Sequence, residues 1–256
     1  MATSLAALPN LKRLYLGFRS PLSRPLPSPP PLTRAVLPTL IHLSFTGVSE
    51  YLEDFLSRIH TPLLKQLVVA FFMGLIFDTP QLHDFVHRIE RIQPFNQASI
   101  RFSGQGITVT LGSQDQFGLE IKFKRPDWQL SSMTQMFGQQ LTLLSCVHEL
   151  TIHEWPGWHI EWDDDPDMNS SRWLELFRPF ISVRSLYVSK KLVPHVGAAL
   201  LELNGSEVME VLPVLDNLYL GGHKPFSPTQ EGIRSFVTSR RLSDQPVTVQ
   251  HWDSED

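Results

Sequence analysis

Cysteine is almost missing from this chain of 256 residues. The single Cys146 has no partner for an internal disulfide and none for a thiolate metal site, so the natural compartment is a reducing one, cytoplasmic or nuclear. Basic surface is scarce too. No Lys/Arg stripe occurs after residue 49 and the formal net charge is -4, which argues against a nucleic-acid partner. Long apolar runs are lacking: the longest uncharged one, Leu67 to Phe77, is too short to cross a bilayer, so no membrane span is expected. The N-terminus has no basic stretch followed by an apolar one, so it does not read as a secretory signal. Acids are absent before Glu50, while Lys12, Arg13, Arg19, Arg24 and Arg34 are present. That is the charge bias of a mitochondrial transit peptide, but the prolines from Pro21 onward would break the amphipathic helix such a peptide needs.

What the sequence does have is a recurring phrase. "LPNLKRLYL" at Leu8 returns as "LPTLIHLSF" at Leu37, "FISVRSLYV" at Phe180 and "LPVLDNLYL" at Leu212. Aligned on L-x-x-L-x-x-L-x-L, the final apolar pair falls at Leu14/Leu16, Leu43/Phe45, Leu67/Val69, Ile100/Phe102, Leu150/Ile152, Leu186/Val188, Leu218/Leu220 and Val247/Val249. Alternation over these residues is the period of a strand with one buried face. Helical periodicity separates most copies, over Tyr51–Ile59, Leu82–Ile92, Met133–Leu144, Trp173–Phe180, Val196–Leu203 and Ile233–Val237. Thr79-Pro80 and Ser227-Pro228 each place a hydroxyl before a proline at a helix start, and Gln230 completes a capping box with Ser227. Strand then helix at such a period predicts an α/β solenoid over residues 1–256, with a parallel sheet on its concave side and helices on its convex side.

Two segments depart from the rhythm. Between Ile100 and Leu150, "GITVTLGSQDQFGLEIKFK" reads as an irregular β insertion over 103–124, with Ile107–Leu111 turning back antiparallel and Leu119–Phe123 rejoining the main direction. Over 20–34 the proline-rich "SPLSRPLPSPPPLTR" replaces the first expected helix by an extended connector.

These residues carry a resemblance. The leucine-spaced strands in long, helix-containing repeats, and above all "IQPFNQASIRFSGQGITVTLGSQDQ...LEIKFKRPDWQLSSMTQMFGQQL", resemble the leucine-rich-repeat region of fungal F-box proteins, over nearly the whole chain. In that family an N-terminal F-box docks on a ubiquitin-ligase scaffold and the repeats select a substrate. The resemblance thus implies a non-enzymatic protein-recognition module. The F-box has no counterpart here, since only a few residues separate Met1 from the first repeat. The alternative is a truncated remnant of such a protein with no activity of its own.

Catalytic and metal motifs fail on spacing or context, so no enzyme, cofactor or metal is expected. His148 and His153 in "HELTIHE" are five apart across a strand, where a zinc protease needs four on a helix face. His83 and His87 have that spacing, but Leu82, Phe85, Val86, Ile89 and Ile92 define the buried stripe and leave them in solvent. Asp163, Asp165 and Asp167 open like a calcium loop, then place Met168 where glycine is required and Glu175 one position late. They serve better as an acidic approach to a helix N-terminus. Gly104 and Gly106 precede a strand rather than a helix and so form a turn, not a phosphate loop. Cys146 reads as a buried structural thiol near a strand entry.

Three surfaces are suited to binding a partner protein. Outward positions between the apolar pairs form a column of Tyr15, Ser44, Val68, Arg101, Thr151, Tyr187, Tyr219 and Thr248, which holds three of the four tyrosines. The segment Glu149–Glu175 has eight acids against one base, Arg172, and four of the six tryptophans. Trp173 belongs to a helix core, whereas Trp155 and Trp158 lie in "EWPGWHIEW", an acidic-aromatic loop. "RPLPSPP", with Arg24, Pro27 and Pro30, satisfies the R-x-x-P-x-x-P pattern of a ligand for an SH3-type domain, although a stiff connector between repeats is the commoner use of such a segment.

Overall fold

In the computed structural model of the chain, the described residues are Leu5, 7–18, 33–71, 79–89, 95–104, 106–112, 117–123, 141–155, 170–203, 205–222 and 231–252. Strands are β1 (Arg13–Gly17), β2 (Ala35–Val36), β3 (His42–Gly47), β4 (Ile59–His60), β5 (Gln66–Phe71), β6 (Gln97–Ser103), β7 (Gly106–Leu111), β8 (Gly118–Phe123), β9 (Glu149–Glu154), β10 (Ser185–Val188), β11 (Asn217–Gly221) and β12 (Thr248–Trp252). Helices are α1 (Ser49–Ser57), α2 (Pro80–His87), α3 (Leu141–Leu144), α4 (Ser170–Phe177), α5 (Val193–Leu201), α6 (Glu207–Glu210) and α7 (Glu231–Leu242). The architecture is mixed α/β with mostly parallel strands. Two compact units form, Met1–Gln93 with Val109–Lys124, and Pro94–Thr108 with Arg125–Asp256.

The recurring phrase maps onto a recurring backbone device. Its first two apolar anchors close a turn in which the second anchor's N–H donates to the first anchor's carbonyl. This bond recurs at Leu11 to Leu8, Leu40 to Leu37, Leu64 to Thr61, Val147 to Leu144, Val183 to Phe180 and Leu215 to Leu212, at 3.1–3.4 Å. The third and fourth anchors are the inward residues of the strand that follows. Leu43, Phe45, Leu67, Val69, Leu150, Ile152, Leu186, Val188 and Leu218 are fully buried. Just before β1, β3, β6, β9 and β10, one carbonyl accepts two successive N–H groups from the next repeat: Lys12 from Ile41 and His42, Ile41 from Lys65 and Gln66, Asn96 from His148 and Glu149, His148 from Arg184 and Ser185, and Arg184 from Asp216 and Asn217. Each fork satisfies two donors that would otherwise be orphaned at a strand entry.

In the first unit, β1, β3, β5 and β8 pair in parallel in that order, with Leu14 opposite Leu43, Leu43 opposite Leu67 and Leu67 opposite Leu119. Ile100 is therefore not the neighbour of Leu67, as a straight run of repeats would have made it. In the second unit, β6, β9, β10, β11 and β12 pair in parallel. Here the register corrects the sequence alignment by two residues at both ends: Leu150 faces Ala98 rather than Ile100, and Leu218 faces Val249 rather than Val247. The small Ala98 is less conspicuous than Ile100 and Phe102, yet Asn96, two residues before it, carries the fork, as Lys12 does before Leu14. The part of β7 that belongs to the second unit, Gly106–Thr108, begins two residues after the end of β6. A parallel neighbour would need a crossover of about a dozen residues or more, so this part of β7 runs antiparallel to β6.

The helices repeat one stripe. Leu52, Phe55 and Leu56 in α1, Leu82, Phe85 and Val86 in α2, and Trp173, Leu176 and Phe177 in α4 are buried at the same i, i+3, i+4 spacing. Trp173 lies in the core as its spacing predicts, between the rings of Phe102 and Phe177. Thr79 occupies the N-cap position of α2, but its hydroxyl does not cap. The Glu53 carboxylate, reaching over from α1, accepts the N–H groups of Gln81 and Leu82 at 2.6 and 2.9 Å. His83 N–H donates to the Thr79 carbonyl, and Pro80 has no N–H to satisfy. Ser227 and Pro228 lie outside the described residues, as does most of the helix expected over 133–144.

In the second unit α5 packs against α4 and α7. At the α5–α7 crossing a Cβ on Gly232 would fall on the Gly197 carbonyl. Arg240 of α7 is wholly buried: Nη2 donates to the carbonyls of Leu212 and Pro213 at 2.8 and 3.1 Å, Nη1 lies 3.7 Å from Met209 Sδ, and Nε has no partner.

Two stability measurements check this packing. Gly232→Ala, which in an exposed helix would gain about 1 kcal/mol, is expected to lower stability by about 2 kcal/mol or more in urea, because the clash is with backbone. Glu53→Ala is expected to cost about 1–2 kcal/mol by leaving the α2 terminus without its acceptor, and Glu53→Gln less, since one acceptor oxygen remains.

Candidate recognition surface

On the second unit, the strand residues between the buried anchors stand half-exposed on the opposite face. Pairing sets them in rows. One row runs Ser99, Thr151, Tyr187, Tyr219, Gln250; the next, two residues farther along the strands, includes Arg101, His153, Gly221 and Trp252. The alternation placed Tyr187 and Tyr219 side by side, and they are: the rings stack at 4.3 Å between centroids with planes 5° apart. Arg101 and Thr248, assigned to the same column, lie two residues out of register with it. Ser99 and Gln250 take their places.

Trp252 completes the tyrosine pair, with its ring edge-on to Tyr187 at 5.4 Å. It reaches β10 across β11 because Gly221 stands between them without a side chain. A Cβ there would come within 2.8 Å of the Lys190 backbone nitrogen. Burial first, then Tyr219 and Glu149, push the Tyr187 phenol above its ordinary value, so it remains a neutral donor.

The second row holds a cation in a fixed frame. Arg101 Nε donates to His153 Nε2 at 3.2 Å, and its guanidinium lies 5.0 Å from the ring centroid of Trp155. Ser99 Oγ is 3.1 Å from the same His153 nitrogen. Since a guanidinium can only donate, Nε2 carries the lone pair and the ring proton sits on Nδ1. Burial and, after it, the Arg101 charge push His153 down to about 4. Trp155, 47% exposed, is thus a wall for Arg101 rather than only the start of a loop. Sequence reasoning missed His153 and Trp252 as surface residues. Their parity with Thr151 and with Gln250 was the available signal.

The remaining candidates are scattered. Tyr15 lies in the first unit, 64% exposed, opposite Ser44 and with its ring 5.1 Å from that of His42. Trp158, Arg24, Pro27 and Pro30 lie outside the described residues. Cys146, expected to be buried, is only half-buried. His83 and His87 meet edge to face at 4.3 Å on α2. Among the described residues no group of three or more His, Cys, Asp or Glu could hold a metal ion, and no helix is long and apolar enough to cross a membrane. No protein-family model, curated protein or solved structure matches the chain.

The His153 environment has a pH signature. Its unfolded value is about 6.5 and its folded value about 4, so between those limits the unfolded chain binds more protons and acidification destabilises the fold. The melting temperature of the natural chain should therefore fall more steeply from pH 6.5 to 4 than that of His153→Gln, and the two slopes should converge above pH 7.

Proposed function

We propose that this chain is a leucine-rich-repeat solenoid of the kind found in F-box proteins, and that it recognises a protein partner non-enzymatically through the open face of its sheet. The turn-and-fork unit that recurs at the start of successive strands supports the repeat reading. The observation that carries the binding reading is the stacked Tyr187–Tyr219 pair with Trp252 against its edge. Three large aromatic rings, half-exposed and fixed by strand register, are pre-organised contact area that loses little side-chain entropy on binding. A sheet face meant only for solvent would be expected to carry short polar or charged residues at these positions. The strand face also differs from the chain's loops in that every side chain on it is aimed by hydrogen-bonded backbone.

Proximity labelling in the native cell followed by a direct binding assay tests the reading. Tyr187→Ala and Tyr219→Ala should each weaken the recovered partner by about 2 kcal/mol or more, roughly thirtyfold, with melting temperatures little changed. Unchanged affinity in both variants would place the contact elsewhere.

A further inference from the structure

Beyond the aromatic patch, the same face contains a charged group that no described residue neutralises. Arg101 spends its Nε–H on His153 and lays its guanidinium against Trp155, and among the described residues its two terminal nitrogens meet no hydrogen-bond partner. Among the described residues, no carboxylate lies within 4 Å of it. Lys191, just beyond β10, is by contrast 3.4 Å from Glu154. Glu149 accepts from Gln97 at 2.9 Å. A long, mobile side chain has thus been held in one orientation by two neighbours, neither of which neutralises it. Rigid placement lowers the entropy lost when a fork of donors closes on an anion.

We propose that Arg101 is a carboxylate-binding site, taking an aspartate or glutamate side chain of an extended partner segment whose apolar residue packs on Tyr187 and Tyr219. The spacing fits such a segment. Tyr187 stands two strands and two residues from Arg101, about 12 Å away, a span of three to four extended residues. The charge balance favours a carboxylate over a phosphate dianion. His153 is held neutral beneath the guanidinium, so the site presents one positive charge, whereas phosphate sites gather several. His153 and Trp155 act as positioning residues: the imidazole fixes the plane of the guanidinium through Nε, and the indole walls its face.

The proposal rests on the recognition reading above, and a single experiment separates their failures. A display library of random dodecamer peptides is selected against the full chain, and the enriched peptides are resynthesised with each Asp or Glu replaced by its amide and by phosphoserine. Affinities are measured by fluorescence polarisation against the natural chain, Arg101→Gln, Arg101→Lys, His153→Phe and Tyr187→Ala. The expected result is an acidic residue three or four positions from an apolar one, with about tenfold or greater loss on conversion to the amide. That discrimination should vanish in Arg101→Gln and shrink in Arg101→Lys and His153→Phe. Peptides that depend on Tyr187 but bind equally as acid and amide overturn the carboxylate site and leave the recognition face standing. A preference for phosphoserine over the acids overturns the assignment of a carboxylate. Peptides indifferent to both Tyr187 and Arg101 overturn both readings.

Discussion

The forked hydrogen bond that links five pairs of neighbouring strand entries is the constraint on which the rest depends. A carbonyl that receives two successive N–H groups from the following repeat admits one register only, because a slip by one residue leaves one donor unpaired and turns every side chain to the wrong face. Once Arg184 has taken Asp216 and Asn217, Leu186 must meet Leu218 and Tyr187 must meet Tyr219. The apolar layer beneath and the aromatic layer above follow from the same bond. Hydrophobic burial supplies most of the favourable free energy, but it does not choose between registers two residues apart, as the alternating apolar residues of β6 make plain.

That is also where the sequence misleads. Apart from the two-residue β2 and β4, the second of which takes Ile59 from the expected helix, strand existence was legible, because the L-x-x-L-x-x-L-x-L spacing reports the turn as well as the strand. Register was legible only where the anchors were leucines. At β6 the equivalent anchor is Ala98, buried but small, and the larger Ile100 and Phe102 draw the alignment forward by two. At β12 the equivalent is Val249 rather than Val247. The strand exchange that sets β8 beside β5 was out of reach for a related reason. Nothing local distinguishes the order in which the strands of an insertion are laid down.

Parts of the surface were legible for the same reasons. Tyr187 and Tyr219 occupy the same place in two consecutive phrases, so their contact follows from the repeat alone. The Arg101 frame does not. It needs a histidine 52 residues away whose partner is decided by register, and a tryptophan beyond the end of a strand. Glu53 belongs to the same class, as a carboxylate 28 residues from the N–H of Gln81 that it caps, with no capping motif to announce it.

The buried Arg240 bears on how the last part of the chain assembles. Its guanidinium sheds water entirely, and in return it meets two carbonyls, a thioether and the Phe236 ring, with no carboxylate in salt-bridge contact among the described residues. Half-docked, the helix would hold a charge in apolar surroundings with its donors unmet, a state more costly than either endpoint. The carbonyls that receive it belong to Leu212 and Pro213, at a turn where Leu212 adopts a φ of 51°. The guanidinium therefore meets its acceptors only when that turn and α7 are both in place. Arg240 thus ties the seating of α7 to the shape of a turn twenty-seven and twenty-eight residues before it.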